Sequence, residues 1–126
     1  MSSSALILFA HGARDPEWAA PIERVRKAIL AQAPARRVEL AFLEFMSPSL
    51  ADAVAGLHAE GVRSLVVVPM FIAQGGHLKR DVPQMLESLR LTYPDLEMRL
   101  TGVVGEAEGV VAAMAAFALE QVPEKL

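Results

Sequence analysis

Residues 64–70 read SLVVVPM and form the strongest strand signal in the chain, and the stretch FIAQGGH at residues 71–77 follows directly. A short, continuous aliphatic run that ends at a turn is typical of a strand buried on both faces of a sheet. Three further runs share this character: ALILFA at residues 5–10, VELAFLEF at residues 38–45, and residues 96–104. The chain is therefore expected to contain four strands.

Segments with the periodicity of amphipathic helices follow each of these runs. The first helix is expected to end at Pro34, and the second to start with Ser47 as N-cap and Pro48 as its first residue. Gly61 should stop the second helix, and the third should end before Pro94. The apolar positions expected to face the core are Trp18, Ile22, Val25 and Ile29 in the first helix, Leu50, Val54 and Leu57 in the second, Val82, Met85, Leu86 and Leu89 in the third, and Val110, Val111, Met114, Phe117 and Ala118 in the fourth.

This order gives four successive β-α units. Strands that alternate with helices at such spacing form a parallel sheet with right-handed crossovers. We therefore predict an α/β fold, a single-domain, doubly wound, parallel four-stranded sheet with helices on both faces, of the flavodoxin-like or a related type. The chain has 126 residues, of which 53% are hydrophobic, so one domain over residues 1–126 with one core is expected.

Composition argues against several classes of function. Twelve Lys and Arg against 15 Asp and Glu give a net charge of −3, so neither a nucleic acid nor an anionic membrane is an expected partner. The absence of cysteine removes disulfides, thiolate metal sites and cysteine nucleophiles. The N-terminal sequence MSSSA lacks the features of a signal peptide, and no apolar stretch approaches the roughly 18 residues of a membrane span, so a cytoplasmic location is expected.

Polar residues stand at the predicted carboxyl ends of the first three strands. His11 follows the first run, Glu44 lies near the end of the second, and His77 follows the third. The intervals 44 − 11 and 77 − 44 are both 33 residues, about one β-α unit. Because ligands of such sheets bind at this edge, the three side chains are expected to converge there. Imidazole and carboxylate suit divalent Co, Ni, Fe or Zn, and they can accept protons near neutral pH.

Each of these three residues also has a structural interpretation. His11 could end a strand with its ring bonded to neighbouring backbone, and His77 could be a solvated loop residue. Glu44 inside a buried strand would be costly unless it were paired, with Arg14 or Lys79. Their shared position at one rim favours a functional role.

The same rim offers groups that could bind a ligand. Lys79 and Arg80 place positive charge at a predicted helix start, against the helix dipole, which indicates an anionic ligand above them. Arg14 faces the same mouth, and Met70 and Phe71 form an apolar shoulder beside it. His58, by contrast, is expected at the end of the second helix in a structural role.

Three blocks of sequence carry a resemblance to a known family. LILFAHGARDP at residues 6–16, VELAFLEFMSPSL at residues 38–50 and VVVPMFIAQGGHLKRDVP at residues 66–83 resemble the CbiX-type sirohydrochlorin chelatases, in their small, single-domain form. This family lies within the class II chelatase group. The third block is the most specific, since it combines an aliphatic strand, a proline, a glycine pair, a histidine and D-x-P. The resemblance covers nearly the whole chain and implies the chelatase variant of the predicted fold.

The resemblance implies a lyase-type enzyme that inserts a divalent metal into sirohydrochlorin without ATP, in cobalamin or sirohaem biosynthesis. Co²⁺ and Fe²⁺ are the leading metals and Ni²⁺ the third, and no cofactor is implied beyond this substrate metal. The family's metal-binding and catalytic residues map to His11, Glu44 and His77. Metalation expels two pyrrole N–H protons, which His11 or Glu44 could accept. The implied substrate-binding residues are Arg14, Met70, Phe71, Gly75, Gly76, Lys79 and Arg80.

Two other functions are compatible with part of this pattern. A non-catalytic module that binds a metal or tetrapyrrole and passes it on would use the same rim. Histidine phosphatases also have His-Gly after a first strand, but they place an arginine before the histidine, where this chain has Ala10. The chain also departs from many family members at Ala13, where serine is common, and it has no His-rich stretch.

The resemblance also implies how copies of the chain assemble. Longer relatives place two such domains in one chain, facing each other across a cleft, whereas this sequence contains one. We therefore expect a homodimer in which two strand-end rims face each other around one macrocycle. Some apolar surface of the third and fourth units would then be interface.

Overall fold

One sheet of four parallel strands organises the computed structural model, which describes residues 4–124. The strands are β1 (Ser4–Ala10), β2 (Val38–Phe42), β3 (Ser64–Pro69) and β4 (Glu97–Leu100), in the spatial order β2-β1-β3-β4. The helices are α1 (Ala20–Gln32), α2 (Leu50–Ala59), α3 (Gly76–Thr92) and α4 (Glu108–Glu120), with short 3₁₀ helices η1 (Pro16–Ala19) and η2 (Val104–Glu106). The predicted α/β class and parallel four-stranded sheet are confirmed.

Alternating side chains along the strands build a core on each face of the sheet. Ile7 and Val67 point to the face covered by α2 and α3, where Leu86 of α3 is fully buried. Leu8 and Leu40 point to the opposite face, which α1 covers over β1 and β2. Helices therefore lie on both faces, as predicted.

The second strand is shorter than the apolar run predicts. β2 ends at Phe42, so Glu44 lies in the loop before α2 and is exposed rather than buried in a strand. Phe45 has a φ of 66°, outside the range of extended backbone, and it turns the chain away from the sheet. The expected cost of burying Glu44 therefore does not arise.

Two helices begin at other residues than the sequence predicts. The N-cap of α2 is Ser49, whose hydroxyl accepts a 3.1 Å hydrogen bond from the Asp52 N–H, and not Ser47. α3 begins before His77, which places this residue in the first helical turn rather than in a loop. The predicted stop of α2 is confirmed, since Gly61 follows it with a φ of 98°.

Pro69 ends a central strand without breaking the sheet. It lies opposite Phe9 in the pairing with β1, and the Met70 N–H donates to the Phe9 carbonyl at 2.7 Å. The pairing between β3 and β4 ends earlier, where Val67 lies opposite Leu100. Pro69 therefore lies beyond the last pair with β4, and no hydrogen bond to β4 is lost because proline has no N–H.

Two predicted core faces differ from the structure. In the first, Ile22 and Ile29 pack against the core as predicted, but Trp18, which lies in η1, and Val25 are 59% and 37% exposed. The fourth helix, all of whose residues are described, has no buried residue, and Met114 and Phe117 are 40% and 66% exposed. Its packing partners are confined mainly to η2, so it covers no core.

Over residues 4–124, no helix combines the length and apolar character needed to cross a bilayer.

Candidate metal and substrate site

His11, Glu44 and His77 lie at the carboxyl edge of the sheet, around one cavity. His11 directly follows β1, Glu44 lies in the loop after β2, and His77 lies in the first turn of α3. The cavity has a volume of about 610 Å³ and is also lined by Leu43, Leu78, Asp81, Gln84, Met85 and Ser88. All three side chains line this cavity, so the prediction that they converge on one rim is confirmed.

Backbone hydrogen bonds hold the first two of these residues side by side. Beyond the end of β2, the Leu43 N–H donates to the Ala10 carbonyl at 2.9 Å and the Glu44 N–H donates to the His11 carbonyl at 3.1 Å. Gly12 makes this approach possible, because its φ is 89° and a Cβ there would collide with the Glu44 carbonyl oxygen. The result is an exposed pair, His11 Nδ1 and Glu44 Oε2, 3.4 Å apart.

The predicted partner of Glu44 is therefore different from the one that the structure shows. Neither Arg14 nor Lys79 pairs with it within residues 4–124, and His11 does. The side chains of His11 and Glu44 are 50% and 46% exposed, so they can reach a ligand in the cavity without losing a buried contact.

His77 is held by two neighbours on α3. Its Nε2 lies 2.9 Å from the Asp81 carboxylate, one helical turn away, and an Arg80 guanidinium nitrogen lies 3.2 Å from its Nδ1. Since arginine can only donate and a carboxylate can only accept, the ring carries its proton on Nε2 and accepts at Nδ1. Asp81 thus fixes the tautomer that leaves Nδ1 as a lone-pair donor.

Asp81 is the site residue that sequence reasoning missed. The four-residue spacing of His77 and Asp81 places two side chains on one face of a helix, but only if His77 is helical. The glycine pair before His77 favours a loop, so the sequence does not reveal this contact.

The three predicted ligands do not form an assembled metal centre. Among residues 4–124, no three His, Asp or Glu side chains lie close enough to hold one ion together. His77 is 77% exposed and is engaged by Arg80 and Asp81 rather than directed at the other pair. The arrangement is two separate pairs that face a common cavity.

The positive groups predicted at the rim are present and exposed. The Arg14 guanidinium lies 4.9 Å from the centroid of the Phe45 ring, a cation–π contact with a residue in left-handed backbone conformation. Lys79 is exposed and has no ion pair within the described residues. The glycine pair at residues 75–76 forms the start of α3, whose first turn contains no acidic residue.

A second cavity, of about 380 Å³, lies on the other side of His11. Its wall is mostly apolar and includes Met70, the exposed Trp18 and Ile72, which is 68% exposed. Phe71 is only 5% exposed, and its ring packs edge-on against His11 with centroids 6.1 Å apart. Phe71 therefore supports His11 instead of offering a face to a macrocycle, which corrects the expectation for this residue.

His58 lies outside the site, at the amino edge of the sheet. Its Nε2–H donates to the Asp95 carboxylate at 3.0 Å, and Arg63 lies 3.2 Å from the same group. The hydrogen bond from His58 is the main reason why the pKa of Asp95 is lowered from its ordinary value. This contact is compatible with the structural role predicted for His58.

Comparisons with known proteins point to one family. A family model described as CbiX matches residues 5–121, nearly the whole chain. The crystal structure of a CbiX protein from Marinobacter aquaeolei VT8 superposes with a TM-score of 0.83 at 30% identity, covering 94% of this chain and 96% of that one. The sirohydrochlorin chelatase SirB from Bacillus subtilis subspecies spizizenii, solved in complex with cobalt, gives a TM-score of 0.78 at 22% identity, covering 95% of this chain and 51% of SirB.

Sequence relatives are described as sirohydrochlorin cobaltochelatases. A sirohydrochlorin cobaltochelatase from Methanopyrus kandleri is 37% identical over 82 residues, which is 65% of this chain and 57% of that protein. One from Saccharolobus islandicus is 38% identical over 81 residues, or 64% of this chain and 62% of the relative. The matched segments thus span less than two thirds of these relatives.

Proposed function

The chain belongs to the CbiX family, and we propose that it is a sirohydrochlorin chelatase, a lyase that inserts Co²⁺ or Fe²⁺, with Ni²⁺ as third candidate, into sirohydrochlorin without ATP. The observation that carries this proposal is the pairing of His11 with Glu44 and of His77 with Asp81 around one open cavity. Relatives described as sirohydrochlorin cobaltochelatases support the substrate.

The metal is a substrate in this reaction, and weak, mobile coordination suits its transfer. A fully assembled centre would hold the ion too tightly to release it to four pyrrole nitrogens. We assign the capture of the metal to His11, Glu44 and His77, whose exposed side chains can close on an ion and open again.

Proton transfer completes the reaction. The macrocycle loses two N–H protons as the metal binds its nitrogens, so a base must stand beside the metal. His11 and Glu44, 3.4 Å apart, are both placed for this role. Either group can accept the two protons one after the other and pass each to solvent, since both side chains are about half exposed, while the other group still faces the metal.

Arg80 links substrate binding to the availability of His77 Nδ1 for the metal. A carboxylate of the macrocycle would attract the Arg80 guanidinium, along with Arg14 and Lys79. Withdrawal of Arg80 would free Nδ1 of His77 for the metal, while Asp81 keeps the proton on Nε2. Apolar parts of the macrocycle would lie against Met70, beside the glycine pair at residues 75–76.

A homodimer, a cytoplasmic location and the absence of nucleic-acid or membrane partners belong to the same proposal. The alignment of this chain with about half of SirB supports two copies around one substrate. The lack of cysteine agrees with a reducing compartment, and the net charge of −3 with a partner that is not a polyanion.

The test is metalation of sirohydrochlorin with Co²⁺, Fe²⁺ or Ni²⁺, followed by its absorption spectrum. His11→Ala and His77→Ala should lower the rate by about 100-fold or more, because each removes a metal ligand. His58→Ala is the matched control, since it changes the remaining histidine at the opposite edge of the sheet and should leave the rate unchanged.

Two results would contradict the proposal. Wild-type turnover in both site variants would remove these histidines from the reaction. Tight binding of metal and tetrapyrrole without acceleration over the metal-only control would favour the alternative function, a non-catalytic delivery protein.

A further inference from the structure

Phe45 stands at the centre of a strained turn directly after Glu44. Its φ is 66°, and the Met46 N–H donates across it to the Glu44 carbonyl at 2.8 Å. This is a γ-turn of the rare kind, whose central residue has a φ of roughly +75°. A residue with a Cβ is disfavoured in this region of backbone conformation, and glycine would adopt it without strain.

Burial of the Phe45 ring does not compensate for this strain. The residue is 59% exposed, whereas its neighbours Leu43 and Met46 pack against the cores on the two faces of the sheet. Strained backbone at a bulky residue persists where its surroundings fix it, and it is concentrated at functional sites. The reason for a phenylalanine here therefore lies in a contact outside the core.

That contact is with Arg14, whose guanidinium carbon lies 4.9 Å from the centroid of the Phe45 ring. Arg14 is exposed, and within residues 4–124 it forms no ion pair and no hydrogen bond to another side chain. The ring thus restrains a long side chain through a cation–π contact while the guanidinium keeps its N–H donors for a ligand.

The other two cations of the rim differ from Arg14. Arg80 lies 3.2 Å from Nδ1 of His77 and 3.4 Å from the Asp81 carboxylate, so part of its donor set is already used. Lys79 is exposed and has no ion pair among the described residues. Of these three cations, Arg14 is the one that the described part of the chain both restrains and leaves available.

The Phe45–Arg14 contact joins the same two loops that carry the His11–Glu44 pair. Arg14 follows His11 by three residues, and Phe45 follows Glu44 directly. The loops are bonded to each other by the Glu44 N–H, which donates to the His11 carbonyl at 3.1 Å. An anion bound by Arg14 would therefore be placed next to the proposed metal ligands. A guanidinium binds a carboxylate through two parallel hydrogen bonds, which also fixes its orientation.

We propose that Phe45 is a positioning residue whose ring holds the Arg14 guanidinium beside the His11–Glu44 pair, where Arg14 binds a carboxylate of the tetrapyrrole. This inference rests on the proposed chelatase function and adds a residue to it. Holding Arg14 in place before the substrate arrives reduces the ordering that binding otherwise requires. The strained turn at Phe45 is thus retained for substrate binding and not for folding.

Titration of the protein with metal-free sirohydrochlorin, followed by absorption, tests the role of the ring. Phe45→Gly removes the ring but keeps the turn, because glycine adopts a positive φ freely. We expect the dissociation constant for sirohydrochlorin to rise by about two- to fivefold, the range of an exposed cation–π contact, while the affinity for Co²⁺ stays unchanged. Phe45→Tyr, which keeps an aromatic ring, should bind as the wild type does.

A double-mutant cycle tests whether Phe45 acts through Arg14. Arg14→Gln should raise the same dissociation constant by about tenfold or more, since it removes a charge-assisted hydrogen bond. Adding Phe45→Gly to Arg14→Gln should cause no further loss, because the ring then has no guanidinium to hold. Arg36→Gln is the matched control, since Arg36 is an exposed arginine before β2 at the opposite edge of the sheet, and it should bind sirohydrochlorin normally.

Urea unfolding tests the strain separately. Phe45→Gly and Phe45→Ala both lack the ring, but only alanine keeps a Cβ at positive φ. The ratio of folded to unfolded protein should be about threefold or more higher for Phe45→Gly. Equal stability of the two variants would contradict a strained turn at this position.

Two binding results would overturn the inference. One is wild-type affinity for sirohydrochlorin in Phe45→Gly, and the other is an equal loss from Phe45→Gly with and without Arg14→Gln, which would mean that the ring does not act through Arg14. The expected binding pattern without metalation would instead contradict the chelatase proposal and support this inference. A wild-type protein that does not bind sirohydrochlorin would overturn both.

Discussion

Asp81 shows how one carboxylate can prepare a histidine for metal binding. It accepts the Nε2–H of His77 at 2.9 Å, and the ring can then offer only Nδ1 to an ion. An Arg80 guanidinium nitrogen lies 3.2 Å from that nitrogen. Asp81 is therefore a positioning residue in our proposal, acting through His77 and not on the macrocycle.

We predict that Asp81→Ala lowers the affinity for Co²⁺ and the metalation rate by about 10- to 100-fold, because the proton on Nε2 is no longer fixed. Asp81→Asn, which can still accept a hydrogen bond through its amide oxygen, should restore part of the affinity. Isothermal titration with Co²⁺ alone measures the first effect independently of turnover.

Glu87→Ala is the control, since Glu87 is an exposed carboxylate on the same helix that pairs with Arg90. Its affinity for Co²⁺ should equal that of the wild type. Unchanged affinity in Asp81→Ala would show that Asp81 has no part in preparing His77.

The elements that build the rim depend on one close contact between two loops. The loop after β1 passes against the loop after β2 at Gly12, where backbone approaches backbone. This contact continues the β1–β2 pairing beyond Phe42 and brings His11 beside Glu44. Local backbone geometry at Gly12 therefore determines the spacing of the two side chains that we propose as catalytic.

Gly12→Ala is expected to destabilise the fold by about 1–3 kcal/mol, because a side chain at positive φ is strained and its Cβ would meet the Glu44 carbonyl. Metalation should also fall, since the loops must separate. Urea unfolding and the metalation assay measure the two effects.

Gly56→Ala provides the opposite case within the same protein. Gly56 lies in α2 with open space around it, so alanine should stabilise the helix by about 0.5–1 kcal/mol. Equal stability of Gly12→Ala and the wild type would mean that the loop contact is not required.

Across the whole molecule, the two edges of the sheet have different electrostatics. At the amino edge, Arg37 joins Glu60 at 3.0 Å, and His58 and Arg63 join Asp95. The hydrogen bond from Arg37 lowers the pKa of Glu60, and the one from His58 lowers the pKa of Asp95. The carboxyl edge instead holds the exposed groups of the proposed site.

These lowered pKa values predict how stability depends on pH. A carboxyl whose pKa is lower in the folded state stabilises the fold at pH values above its ordinary pKa, which is 4.5 for Glu60 and 3.8 for Asp95. This stabilisation is lost as the pH falls from the ordinary pKa through the lower pKa of the folded state. The free energy of unfolding, measured with urea between about pH 3 and 6, should therefore decrease toward acid.

The Glu60→Gln/Asp95→Asn variant should show a smaller decrease than the wild type over the same range. Glu87→Gln, which changes an exposed carboxyl elsewhere, should follow the wild-type curve. The effect is expected to be modest because both groups are exposed to solvent. An identical pH dependence in the double variant would contradict the assignment of these two carboxyls.

The sequence by itself determined the α/β class, the four parallel strands and the rim that carries His11, Glu44 and His77. These follow from aliphatic runs and helical periodicity, which are local, and from the rule that parallel strands end at a common edge. Helix stops such as Gly61 were also predictable, since they depend on the backbone freedom of one residue.

Only the tertiary structure decided which side chains touch and which surfaces remain open. The pairing of His77 with Asp81 required the true start of α3, and the exposure of Trp18 required the 3₁₀ turn before α1. Periodicity could not predict that α4 has no buried residue, because an apolar stripe indicates that a helix packs against a partner but not where that partner lies. Contacts between residues distant in sequence depend on where the whole chain runs, and a local pattern does not encode that.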